Sequence, residues 1–320
     1  MIKILAIRTD RFGEFLLNIP AFRALKNSFP GAHLVLLVNP AVRELAECVE
    51  CADEVMAWEN RRHSLVELWS FSRLLKKKRF DICLIFNPSK ELNLVSFLAG
   101  IPMRVGYNRK WGPLLTNKMT DEKYLGRKHE IEYNLELAAL AGAKTGDRSL
   151  TLSIGNDIIE SLAKKFSSQP GEDFLIIHPW ASDPLKVWEP ENFKQLARKA
   201  ARELHFKVVI IGGREEARKF PGYFTDLGED IIDMVGKTNL CELAVLIRRS
   251  RMLVSADSGP VHLASAMGVP ALVIFRNDLP GKTALRWGPV SMGSLVVDGA
   301  DLAKISVEEV FVKLKGVLER

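Results

Sequence analysis

The feature that most constrains this chain is an alternation of short apolar, β-branched runs with amphipathic stretches of helical spacing. A strand covered on both faces reads as a continuous apolar run, and consecutive parallel strands need a crossover helix between them. The pattern therefore predicts an α/β protein with parallel sheets. Strands are expected at residues 2–7, 33–38 and 81–86, and again at 174–177, 208–211, 252–255 and 271–275. Helices are expected at 190–204, 215–227, 240–249, 259–267 and 306–318, the last opening on the capping-box pattern Ser306-Val307-Glu308-Glu309.

Between the two series, residues 153–173 break the alternation with Gly155-Asn156-Asp157 and Ser167-Ser168-Gln169-Pro170-Gly171-Glu172. This polar stretch predicts a boundary, giving domains over 1–165 and 166–320. In such open α/β domains ligands bind at the carboxyl ends of the strands, here expected to flank a crevice between domains. A single extended α/β domain is the alternative for 320 residues.

Several classes are excluded or demoted. No run approaches the roughly 18 to 20 uncharged apolar residues that span a bilayer, and residues 1–5 open a strand rather than a signal peptide, so a cytoplasmic location is expected. The 4 cysteines are too few for a disulfide framework. Cys48-Val49-Glu50-Cys51 lacks the second ligand pair of a zinc site, so no metal site is expected. The net charge of +6 falls entirely in the first half, where 25 Lys and Arg face 19 Asp and Glu in residues 1–165. Clusters such as Arg61-Arg62 and Lys76-Lys77-Lys78-Arg79 suit an acidic ligand or an anionic membrane surface. Nucleic acid is not expected, since no zinc finger, RRM or helix-turn-helix accompanies the charge. The first strand is not followed by G-x-G-x-x-G, and neither G-x-x-x-x-G-K-[ST] nor G-x-S-x-G occurs. Dehydrogenase, P-loop and serine hydrolase chemistries are weakened accordingly.

Four segments carry candidate chemistry. In Asp257-Ser258-Gly259-Pro260-Val261-His262 an apolar strand enters a helix through a small polar turn, where backbone N–H groups and the helix dipole hold an anion. His262 lies about one turn into that helix. Lys186, in the loop after residues 174–177, is a mobile point charge suited to a diphosphate. Gly212-Gly213 allows a tight strand-to-helix turn. Finally, Asp10 and Glu14 follow the first strand, four residues apart, where a carboxylate can act as general base or merely cap a helix.

Together these segments resemble the ADP-heptose:lipopolysaccharide heptosyltransferase family, glycosyltransferase family 9. The resemblance spans nearly the whole chain and rests on four pieces of sequence. These are Arg8-x-Asp10-x-x-Gly13-Glu14, His178-Pro179 with Lys186-x-Trp188, Gly236-Lys237-Thr238, and Asp257-Ser258-Gly259-Pro260-x-His262 through Gly268-x-Pro270. It implies a GT-B fold of two Rossmann-like domains, the first for the acceptor and the second for the nucleotide sugar, with the last helix packing back on the first domain. It implies inverting transfer of heptose from ADP-heptose to a lipopolysaccharide inner core, without metal or other cofactor, at the inner membrane face. By the same matching Glu14 is the base, at a position where the family carries aspartate, with Asp10 in reserve. Lys186 holds the diphosphate, Asp257, Ser258 and Gly259 the donor sugar and phosphates, and His262 supports their loop. Thr238 lies near adenine and Glu216 near ribose. Arg276 departs from the glycine usual after that strand's phenylalanine. Another nucleotide sugar, a non-catalytic binding role, or a non-hydrolysing sugar-nucleotide epimerase are the competing readings.

Overall fold

The computed structural model describes residues 1–144, 146–166, 173–225 and 227–319. The chain divides into two compact units, Met1–Ser153 and Ile154–Arg320. In the first, β1 (Lys3–Arg8), β2 (His33–Val38), β3 (Glu54–Ala57), β4 (Ile82–Ile85), β5 (Met103–Tyr107) and β6 (Asn117–Met119) form one sheet in the order β3-β2-β1-β4-β5-β6. In the second, β7 (Phe174–His178), β8 (Lys207–Ile210), β9 (Ile231–Asp233), β10 (Met252–Ala256), β11 (Ala271–Arg276) and β12 (Leu295–Gly299) run in the order β12-β11-β10-β7-β8-β9. Every pairing is parallel. Read from the other edge, the second order repeats the first, and both are the Rossmann order. Strand order reverses between β1 and β4 and between β7 and β10, which creates a binding edge at the carboxyl end of each sheet.

The central strands bury every residue or nearly so, which is why their sequences read as unbroken apolar runs. In the first unit Leu5, Ile7, Val35 and Ile85 meet Leu68, Phe71 and Leu75 of the helix Leu65–Lys78. That helix starts on a complete capping box, Ser64 with Glu67. In the second, Ile177, Val208 and Val254 share a core with Phe193, Leu196 and Ala197 of the helix Pro190–Leu204.

Some expectations require correction. The division falls after Ser153, not after residue 165. The helix Asn156–Lys165 belongs to the second unit: it packs on the helix Leu240–Arg248, and its Ser161 and Lys165 hydrogen-bond the Glu242 carboxylate at 2.7 and 2.8 Å. Part of the polar stretch read as the boundary, residues 167–172, lies outside the described residues. The last helix, Val307–Leu318, sends Val310, Phe311 and Leu314 into the second unit's core, against the helix Pro190–Leu204, where packing on the first domain was expected. The helix expected over 215–227 stops at Lys219 because Pro221 cannot continue it and Gly222 takes φ of 67°. Strands β3, β5, β6, β9 and β12 were not anticipated. Four of them are short or edge elements with partly exposed residues, so no continuous apolar run marks them.

Candidate active site

In the second unit β7 and β10 lie side by side, with His178 paired in register to Ser255. Just beyond, Asp257 and Ser258 turn the chain into the helix Gly259–Ala266. No side chain caps that helix. The Ser258 hydroxyl points back instead, 3.0 Å from His178 Nδ1 and 2.8 Å from the Ser255 hydroxyl. Desolvation holds the His178 pKa down at about 3, so its imidazole is neutral and meets two hydroxyls without bringing charge. The amino end of the helix is thus left uncapped by side chains, with its dipole available to an anion.

Asp257 is 8% exposed, and burial pushes its carboxyl up while Lys186 pulls it down. Lys186 Nζ is 2.5 Å from its Oδ2. The loop bearing Lys186 is itself held twice. Lys282 reaches the Asp183 carboxylate at 2.8 Å, and the Arg276 guanidinium donates to the Leu185 carbonyl at 3.3 Å while also pairing with Asp278. Trp188 anchors the far side of the loop, fully buried, with its indole N–H donating to the Ile305 carbonyl at 3.0 Å. Lys186, Asp257, Ser258 and Gly259 therefore gather on one edge, and His262 lies buried in the first turns of the helix. The clamp by Lys282 and Asp183 escaped sequence reasoning because its partners are 99 positions apart.

Beyond the neighbouring strands β8 and β9, Glu216 lies in the first turn of the helix Arg214–Lys219 and Thr238 on the loop before the helix Leu240–Arg248. The Glu216 carboxylate accepts from the Gly213 N–H at 3.0 Å, closing the first turn of its helix. The Thr238 loop is laced to the β8 loop by the Gly236 N–H, which donates to the Gly212 carbonyl at 2.9 Å. Gly212 is required there: a Cβ would stand 2.6 Å from the Trp180 indole nitrogen.

In the first unit the equivalent edge lies past β1 and β4, where the Thr9 N–H donates to the Asn87 side chain at 3.2 Å. Arg8, 4% exposed, binds the Asp10 carboxylate at 2.7 Å and Glu130 at 3.4 Å, and Lys123 reaches Glu130 at 2.6 Å. Glu130 and Lys123 were not singled out in the sequence. Glu14, in the short helix Phe12–Leu16, sits beside this network, and burial first, then the Asp10 charge, raises its pKa above the usual carboxylate value. The two carboxylates thus differ in kind: Asp10 is engaged by a buried guanidinium, whereas Glu14 is partly buried and proton-seeking. Elsewhere, the Cys48 thiol donates to the Glu44 carbonyl at 3.4 Å, and burial pushes the Cys51 thiol up to about 11.

Two Rossmann-like units with polar groups at both switch-point edges are the parts of the GT-B fold, which glycosyltransferases share with other sugar-nucleotide enzymes. The sequence model of glycosyltransferase family 9 (heptosyltransferase) matches residues 68–308, and the chain belongs to that family. Lipopolysaccharide heptosyltransferase 2 of Salmonella typhimurium is 22% identical over 299 residues, covering 88% of this chain and 84% of the relative. Among solved structures, E. coli ADP-heptose lps heptosyltransferase II superposes with a TM-score of 0.84 at 21% identity, covering 99% of both chains. E. coli heptosyltransferase WaaC with ADP gives 0.79 at 17% identity, covering 99% of this chain and 100% of that one. Asp10 and Glu14 precede the matched residues 68–308, though the fold likeness extends over both units.

Proposed function

We propose that this glycosyltransferase moves heptose from ADP-heptose to a hydroxyl of a lipopolysaccharide inner core, with inversion and without a metal ion or other cofactor. The observation that carries the reading is the contrast at the first unit's edge. There Asp10 is bound by Arg8, while Glu14 keeps a carboxyl whose raised pKa suits a general base. Glu14 takes the acceptor proton as the hydroxyl oxygen bonds to the anomeric carbon, the bond from that carbon to the diphosphate breaks, and ADP leaves with the electron pair. Lys186 and the amino end of the helix Gly259–Ala266 receive the diphosphate charge. For Lys186 to do so it must loosen from Asp257, which then turns to the donor sugar with Ser258 and Gly259. His262 supports this turn from within the helix, Thr238 lies toward adenine and Glu216 toward ribose. The excess of basic residues in 1–165 suits a carboxylate- and phosphate-rich glycan acceptor. Such an acceptor places the enzyme in the cytoplasm, in peripheral contact with the inner membrane. No helix among the described residues is long and apolar enough to cross a membrane.

Thermal stabilisation by ADP, ADP-heptose, UDP-glucose and GDP-mannose in the presence of EDTA tests the donor. Stabilisation by the two adenosine ligands alone is expected, with turnover of ADP-heptose surviving the chelator. A response confined to UDP or GDP ligands transfers the proposal to another nucleotide sugar. Binding of ADP without turnover on any core acceptor favours a non-catalytic role, and isomerisation of a donor with no acceptor present favours an epimerase.

A further inference from the structure

The helix Leu65–Lys78 has two faces that both carry apolar residues. Leu68, Phe71 and Leu75 fill the core, while Leu65, Val66 and Trp69 on other sides are 81%, 73% and 56% exposed. Farther along, the exposed side continues as Arg73, Lys76 and Lys77. Beside it the helix Lys90–Leu98 ends in Phe97 and Leu98, exposed by 46% and 45%. Between the two helices runs an open groove of about 710 Å³, lined by Trp69, Arg73, Lys76, Lys77, Arg79 and Leu98. The Arg73 guanidinium lies over the Trp69 ring, 4.7 Å from its centroid.

No carboxylate lines this groove. Acids on adjoining elements are engaged elsewhere, Glu67 with Arg61 and Ser64, Glu54 with Lys78, and Glu91 with His63. Among the described residues, Lys76, Lys77 and Arg79 have no acidic partner. Because the helix Leu65–Lys78 leads into the start of β4, its basic end lies away from the carboxyl edge that carries Asp10 and Glu14. These cations are therefore not part of the catalytic edge.

We propose that this groove and the exposed ridge of Leu65, Val66 and Trp69 form the surface by which the chain docks on an anionic bilayer. Lipid phosphates take the charges of Arg73, Lys76, Lys77 and Arg79, and the indole and aliphatic side chains enter the headgroup boundary. Charge complementarity favours this occupant. Apolar side chains that protrude beside uncompensated long cations match a surface that is anionic outside and apolar a few ångströms deeper. The assignment rests on the peripheral membrane contact proposed above and names the residues that make it.

Sedimentation of the full chain with vesicles of phosphatidylcholine, alone or mixed with phosphatidylglycerol, tests both levels. Binding only to the anionic vesicles, weakened by salt, is expected. The double variant Lys76→Glu/Lys77→Glu is expected to weaken it by at least about tenfold, and Trp69→Ser to weaken it further, with ADP stabilisation and turnover on a detergent-soluble acceptor unchanged. In a second measurement, lipids brominated along their acyl chains quench tryptophan emission less in Trp69→Phe than in the parent. If the parent binds anionic vesicles and all variants bind and quench equally, the groove is the wrong surface while membrane contact stands. If the parent ignores the vesicles, membrane contact fails and this surface with it. Capture of an oligonucleotide through the same lysines, with no vesicle binding, overturns the proposal in favour of nucleic acid.

Discussion

Glu14 and Asp10 stand four positions apart on the same edge, yet their neighbours give the two carboxylates different surroundings. Arg8 binds Asp10 directly and reaches Glu14 only through space, while burial raises Glu14. Glu14→Gln is expected to lower kcat by roughly 10² to 10⁴-fold with ADP stabilisation retained, and the parent's kcat/KM should fall on the acid side at a pH above the ordinary carboxylate range. Unchanged turnover in that variant would remove Glu14 as the base. Asp10→Asn should act differently, since it removes the nearer of the two carboxylates paired with the buried Arg8 and leaves only the longer contact to Glu130: a loss of melting temperature accompanies any loss of rate. His178 offers a test of stability. Its folded pKa of about 3 lies below the unfolded value near 6.5, so between them the unfolded chain binds the extra proton. Stability contributed by this site is therefore present above about pH 6.5 and lost as pH falls toward 3, by on the order of a few kcal/mol. Denaturant titrations of the parent and of His178→Asn across this range should show a shallower pH slope in the variant. The sequence pointed to most of these positions, because a strand end followed by Asp, Ser, Gly or Glu is visible locally. It could not show that Arg8 claims Asp10 or that Glu130 and Lys123 back Arg8, since the Arg8–Glu130 contact spans 122 positions.

At the scale of elements, the loops that carry the site depend on a few backbone constraints. Gly236 holds φ at 72°, and a Cβ there would come 2.8 Å from Ala217 Cβ on the helix Arg214–Lys219. Gly236→Ala is thus expected to cost roughly 1–2 kcal/mol in left-handed strain alone and to displace Thr238. The check is paired: a lower melting temperature together with a weaker shift on adding ADP, against an unchanged shift if Thr238 is remote from the nucleotide. Element legibility followed burial. The strand at 33–38 and the helix at 190–204 appear with the bounds expected from their patterns, because one is wholly apolar and the other has one apolar stripe. Edge strands such as Asn117–Met119 carry no such signal, since their pairing comes from a neighbouring strand rather than from their own side chains.

At the scale of the whole molecule, each unit has its own six-stranded sheet and its own core. The place where one ends has a measurable consequence. Glu242 is 1% exposed and takes hydrogen bonds from Ser161 and Lys165, on a helix that a cut after residue 165 removes. A fragment of residues 154–320 should therefore be more stable than one of 166–320, by at least roughly 1–3 kcal/mol, with Leu162 burial adding to the difference. Equal melting temperatures of the two fragments would place that helix outside the second unit's cooperative fold. The α/β class, the parallel sheets and the strand-to-turn sites were determined by the sequence itself, because buried strands and helix entries impose local composition on the chain. Tertiary structure alone decided the unit boundary, the docking of the last helix on Pro190–Leu204 and the pairing of Asp10 with Arg8 beside a Glu14 raised by burial. Each of those depends on which distant groups share a buried space, where desolvation and pairing set the energy, and no local pattern encodes that.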